Sequence, residues 1–118
     1  MDNTQSLTMN AYQADCATTM IYTMKIIYPA LGLANEAGEV LGKLKKLIRD
    51  QGITFDEGYK LTDKQRSDLA SELGDVMWYI AALSRDLGIS LNEVAHLNLE
   101  KLQSRKQRGT LSGSGDNR

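Results

Sequence analysis

Two short stretches carry the residue types best able to do chemistry: Glu36-Ala37-Gly38-Glu39-Val40 and, thirty-six residues on, Glu72-Leu73-Gly74-Asp75-Val76. Each sets two acids three positions apart with a glycine between them. On a helix, positions i and i+3 share a face, so each pair can converge on one object. Thirty-six residues make ten whole turns, so the two stretches keep the same helical phase. Four carboxylates brought that close repel unless something positive lies between them. Hard divalent cations take such oxygen ligands, and Mg²⁺ in particular is held by a few carboxylates plus waters and phosphates. A di-iron bundle would need Glu-x-x-His pairs, and the sequence has none. The plainer reading of either acid pair is an ordinary solvated helix edge. The glycines argue against it, because a mid-helix glycine costs about 1 kcal/mol relative to alanine. Close backbone approach between packed helices is the expected reason for that cost.

The elements that must position these acids follow from the apolar spacing. In the first stretch Leu33, Ala37, Val40, Leu41, Leu44, Leu47 and Ile48 form a stripe, and in the second Leu69, Leu73, Val76, Met77, Ile80, Leu83 and Leu87 do so in the same phase. Packing the two stripes together brings Glu36, Glu39, Glu72 and Asp75 to the rim of one interface. The second helix is expected from about Pro29 to Arg49, with the basic residues Lys43, Lys45, Lys46 and Arg49 toward its negative pole. The third opens on the capping box Thr62-Asp63-Lys64-Gln65 and runs to about Leu87. Trp78 and Ala82 lie opposite its stripe, so it is apolar nearly all round and must be buried centrally or by a partner subunit. A first helix starts at Thr8 as N-cap and runs to about Tyr22; a fourth starts at Ser90 and runs to about Lys106. Residues 50–61 read as a loop, either a lid, a specificity segment or a connector. The Gly/Ser-rich tail after Gly109 reads as flexible on composition alone, with folding over a pocket, its own or a neighbouring subunit's, as the equal alternative.

The chain as a whole limits the possibilities. Its 118 residues suit one all-α domain with little core to spare. With 42% hydrophobic and 25% charged residues it has a globular composition. A net charge of −1 argues against general nucleic-acid binding, which needs a basic surface. Cys16 is alone, which excludes an internal disulfide and a Cys-rich zinc site and suits a small buried hydrophobe. No run approaches membrane-spanning length and no signal pattern opens the chain, so no membrane partner and a cytoplasmic location are expected.

The quoted residues resemble a known family. Glu36-x-x-Glu39 followed by Glu72-x-x-Asp75 is similar to the ExxE…ExxD signature of the MazG-like, all-α nucleoside triphosphate pyrophosphohydrolases. Tyr28-Pro29-Ala30-Leu31-Gly32-Leu33, then Met77-Trp78-Tyr79 after the second motif, and the closing Arg108-Gly109-Thr110-Leu111-Ser112-Gly113-Ser114-Gly115-Asp116-Asn117-Arg118 extend the likeness to the short single-domain branch. The sequence departs from many relatives at Asn35, where they carry a further Glu, and this leaves the general base and the number of metals open.

On helix four, Asn98 falls within the apolar stripe of Leu91, Val94, Ala95 and Leu102, and Lys101 and Arg105 extend the same face. One account is a polar core residue with two cations snorkelling outward. The other, favoured because Asn-x-x-Lys-x-x-x-Arg is similar to a pattern in the family, has the amide read a sugar or base while the cations grip phosphates. His96 faces away. Tyr79 could stack on a base or pack in the core, and Lys43 lies four residues after Glu39 on the acidic side.

The resemblance implies a four-helix bundle of the MazG-like type, working as a homodimer or homotetramer. The implied reaction is Mg²⁺-dependent hydrolysis of nucleoside or deoxynucleoside triphosphates to the monophosphate and pyrophosphate, with Mn²⁺ as a possible substitute. Glu36, Glu39, Glu72 and Asp75 would hold the metal, Glu36 or Glu39 would act as base, and Asn98, Lys101, Arg105, Lys43 and Tyr79 would meet the nucleotide. The alternatives are a non-catalytic helical module that binds nucleotide or protein, and a narrower enzyme such as a dUTP/dCTP pyrophosphatase or phosphoribosyl-ATP pyrophosphohydrolase.

Overall fold

A computed structural model describes residues 6–54, 56 and 60–118. Four helices follow one another: α1 (Met9–Ala17), α2 (Ile27–Gln51), α3 (Asp63–Asp86) and α4 (Leu91–Gln107), with no strand among the described residues. The caps are those the sequence announces. Thr8 Oγ1 accepts from the Ala11 N–H, Thr62 and Gln65 close a reciprocal capping box, and Ser90 Oγ accepts from the Glu93 N–H.

Helix α1 is five residues shorter than its periodicity predicts. The Thr18 and Thr19 hydroxyls donate to the carbonyls of Asp15 and Cys16, taking the last acceptors of the helix and turning the chain away. Its anchor is Gln13. That amide donates to the carbonyls of Ala81 and Ile89 and accepts from the Leu91 N–H, stitching α1 to the turn between α3 and α4.

Helices α2 and α3 lie antiparallel, and α2 packs on no other helix. Their register can be read from four contacts: Gly32 against Tyr79, Lys43 against Glu72, Leu47 beside Leu69, and Gln51 bonded to Gln65. Only the inner half of each predicted stripe is covered. Val40, Leu44 and Leu47 of α2 and Leu69, Val76, Ile80 and Leu83 of α3 are half-buried, while Leu41 (67% exposed), Ile48, Leu73 and Met77 stay open. The deepest part of α3 is instead Ala81, Ala82 and Ser84, of which Ala82 alone was expected opposite the stripe, because α1 can approach closely there. The core cluster is Cys16, Ala81 and Leu91, flanked by Tyr12, Met20, Trp78 and Ile80.

Two further expectations change. Gly38 and Gly74 meet nothing within 4 Å of an added Cβ, so close approach within the chain does not explain them. The glycine that does is Gly32, where a Cβ would fall 2.1 Å from the Tyr79 ring. The tail is a folded loop: the Arg118 guanidinium donates to the carbonyls of Thr110, Leu111 and Gly115, and Arg108 donates to the Arg118 carbonyl. Of the loop predicted over 50–61, residues 55 and 57–59 lie outside the described residues.

These contacts set a stability test. Gly32→Ala should cost about 1–3 kcal/mol, since the Tyr79 ring is itself held by Tyr28 and Trp78 and cannot yield freely. Gly38→Ala and Gly74→Ala, in open space, should instead stabilise by up to about 1 kcal/mol through helix propensity. Urea unfolding of the three variants checks the order, and a stabilising Gly32→Ala would contradict the packing.

Candidate functional site

The antiparallel register, with the side of the helix each acid faces, decides which acids meet. Glu36, on α2, comes level with Glu72 and Asp75 on α3, and the three offer carboxylate oxygens within 4.8 Å of one another. Glu39 is one turn further along α2, exposed, and outside this group. Glu36 feels the crowding. Partial withdrawal from water, then the charges of Asp75, Glu72 and Glu39, push its carboxyl above the ordinary 4.5. One cation answers from within: the Lys43 ammonium sits 3.6 Å from Glu72, so in this arrangement it serves the acids.

Beside Glu36 and Asp75 opens a groove of about 370 Å³, completed by Thr19, Trp78 and Tyr79. Its wall is aromatic. Trp78 and Tyr79 meet edge to face at 5.0 Å, Tyr28 leans on Tyr79 at 6.3 Å, and Tyr22 stacks on Tyr28 at 5.1 Å. Trp78 Nε1 donates to Thr19 Oγ1 at 2.8 Å, which joins the wall to the connector after α1. Burial and the neighbouring Tyr28 hydroxyl raise the Tyr79 phenol, with the nearby acids adding to the effect.

Tyr79 therefore lies where the sequence puts it, at the acid edge. Thr19 and Trp78 were not among the predicted residues. Trp78 offered a signal, standing three positions after Asp75, whereas Thr19 reaches the groove only through a contact spanning 59 residues.

Helix α4 is placed elsewhere. It packs on α1 and α3 and not on α2, and Asn98 with Lys101 lines a separate open groove alongside Val94 and Leu97. Asn98 is exposed and does not lie in a buried stripe. Arg105 is buried, 6% exposed, and donates to the Asp116 carbonyl at 2.8 Å, so its guanidinium is turned into the tail and does not snorkel outward. Within one chain these three are not brought to the carboxylates. Cys16 is buried and His96 exposed, as expected.

The donor set suits a metal ion, since three convergent oxygen ligands with no sulfur or imidazole are what a hard divalent cation takes. Residues 29–110 match the MazG nucleotide pyrophosphohydrolase domain. The chain belongs to the MazG nucleotide pyrophosphohydrolase family. A MazG-family chain of this kind is also 43% identical over 118 aligned residues to the Gene 37 protein of Mycobacterium phage L5, covering 93% of this chain and 98% of that one. No solved structure gave a significant match. The MazG match takes in α2 from Pro29 onward, α3 and α4 with all four acids, and leaves α1 and Thr19 outside it. Among the described residues no helix is long and apolar enough to cross a membrane.

The raised Glu36 carboxyl gives the acids a pH signature. Folding favours its protonated form, so the metal-free chain holds this stability in full below about pH 4.5 and loses it as pH rises through the raised value. In EDTA, the melting temperature of wild type relative to Glu36→Gln should fall as pH climbs through that window. A difference independent of pH would show that the acids do not crowd Glu36.

Proposed function

We propose that the chain hydrolyses nucleoside or deoxynucleoside triphosphates to the monophosphate and pyrophosphate. The observation that carries this reading is the convergence of Glu36, Glu72 and Asp75 at the mouth of an aromatic-walled groove. Mg²⁺, with Mn²⁺ as substitute, would be held by these three carboxylates, where it would draw in phosphate oxygens and neutralise their charge. Glu39, left outside the convergence, is the carboxylate free to accept a proton from the attacking water, and Glu36 is the alternative. Tyr79 and Trp78 offer ring faces to a nucleobase. A pyrophosphate leaving group spreads its charge over two phosphates and needs no protein acid, which suits a groove lined without histidine. The nucleotide pool such a housecleaning enzyme would serve lies in the cytoplasm.

Three outcomes test the reaction. Glu72→Gln and Asp75→Asn should each remove most turnover with the fold retained, by at least the about 10–100-fold that loss of an outer-shell partner costs a metal site. EDTA should silence the wild type, and Mg²⁺ restore it. Hydrolysis in ¹⁸O-water should label the nucleoside monophosphate; label in pyrophosphate or release of single phosphates would reject attack at the α phosphorus. Silence across all common and damaged NTPs and dNTPs would favour a binding module.

We also propose that the working form is a homodimer or a pair of dimers. The chain exposes 8906 Å², against about 6,400 Å² for a folded monomer of 13.1 kDa. Its radius of gyration is 17.4 Å, where about 13–14 Å is usual for this length. The excess area is on the scale of an obligate interface, and Leu41, Ile48, Leu73 and Met77 supply apolar surface to fill it. A second copy would also bring a cation to a groove whose described lining has none; Lys101 is the exposed candidate, with the neutral Asn98 amide beside it. Leu73→Glu should dissociate the assembly and inactivate it, as read by light scattering. Mixing inactive Asp75→Asn and Lys101→Ala chains should restore about one quarter of wild-type activity by random assortment if the site is shared. An active wild-type monomer would overturn this assembly.

A further inference from the structure

The connector between α1 and α2 is folded around one carboxylate. Asp86 Oδ2, near the end of α3, accepts the Tyr22 hydroxyl and the Ile26 backbone N–H, both at 2.9 Å. Ile26 has φ 68° and ψ −59°, and across it the Ile27 N–H donates to the Lys25 carbonyl at 2.7 Å. This is a γ-turn of the rare positive-φ kind, strained for any side chain and more so for a β-branched one. Such a turn persists only where its surroundings over-determine it. Asp86 supplies the side-chain bond that does so.

What the turn holds is the wall of the groove. Thr19 begins the connector, accepting from Trp78 Nε1 and donating to the Cys16 carbonyl. Tyr22 continues it, stacked on Tyr28 and edge-on to Trp78 at 6.4 Å. Immediately after the turn, α2 starts and carries Tyr28, Gly32 and Glu36 toward α3. Asp86 is eleven residues beyond Asp75 on the same helix, about 16 Å along its axis, so it touches neither the acids nor anything held between them.

We propose that Asp86 is a positioning residue that sets the aromatic wall against which the nucleobase lies, acting on nucleotide affinity and base discrimination through Tyr22, Thr19 and Trp78. The proposal rests on the nucleotide-hydrolase reading for its kinetic part only. Thr19, Tyr22 and Ile26 fall outside the stretch matched to the MazG domain, whereas Trp78, Tyr79 and Asp86 lie within it, so the wall joins the two. The phenol of Tyr22 is pushed up to about 12 by burial and by its bond to Asp86, so it keeps its proton, and its bond to Asp86, at any working pH.

The test uses Trp78, the one tryptophan of the sequence, as a reporter inside the wall. In the full-length protein without nucleotide, Asp86→Ala should shift Trp78 emission to the red and open it to quenching by acrylamide. Direct titration with Mn²⁺ alone should be unchanged. With nucleotide, KM should rise about tenfold with kcat within about twofold, the split expected when ground-state placement is lost. Asp86→Asn, which keeps an acceptor oxygen, should recover most of the emission and the affinity. Tyr22→Phe, which leaves the Ile26 bond in place, should shift both in the same direction by less and serves if Asp86→Ala fails to fold. Unchanged Trp78 emission in the Ala variant, or in Tyr22→Phe should it stand in, would overturn the proposal. So would weakened Mn²⁺ binding, or a fall in kcat at constant KM. If wild type turns over no nucleotide while emission shifts as expected, the enzymatic reading fails and the positioning role stands.

Discussion

Like charge held at close quarters is the constraint on which this structure turns. Three carboxylates within 4.8 Å of one another repel by a few kcal/mol per pair before solvent screening discounts it. Neither helix produces that arrangement alone; it exists because α2 and α3 run antiparallel in one register. The register is in turn fixed at both ends: Gly32 lets the Tyr79 ring lie against the backbone at one, and Gln51 meets Gln65 at the other. Lys43 sits between, offsetting part of the charge through Glu72. A cation would offset the rest, so the fold and the ion would stabilise each other.

Most of this was legible from spacing. The ten-turn interval between the acid pairs puts them in equal phase, and local capping chemistry sets three of the helix starts at Thr8, Thr62 and Ser90. What phase alone does not give is which acid of a pair turns into the interface. In this register Glu39 stands level with the acids of α3 along the axis but on the exposed side of α2, so it separates from the other three. Helical period also does not tell which face is covered first. Helix α3 has two apolar faces, and the one lined with alanines wins because small side chains let α1 come close. The tail misleads for another reason: its glycines and serines look flexible, yet Arg118 and Arg108 supply donors to carbonyls from 7 to 10 residues away, and composition does not register such bonds.

The groove joins two parts of the chain with different obligations. The acids belong to the stretch shared with the MazG family, where a change of spacing would separate the ligands. The opposite wall hangs on Thr19, Tyr22 and a strained turn at Ile26, held by single hydrogen bonds to Trp78 and Asp86. Changes confined to that wall would leave the three carboxylates in place.

The Gln13 clamp has a consequence for the order in which parts of the molecule come undone. Helix α1 has nine residues, too few to persist alone in water, and it docks through the Gln13 amide, bonded to three backbone groups around the α3–α4 turn, through Asn10, which accepts from the Asn92 N–H, and through Tyr12 and Cys16 at the core. It is therefore the low-stability cooperative unit, the first whose amides exchange with solvent. When it lifts, Thr19 leaves with it, and the groove loses a wall while Glu36, Glu72 and Asp75 stay in place on the longer pair. Fluctuation in this protein thus opens the side that would receive a base and spares the side that would grip a cation.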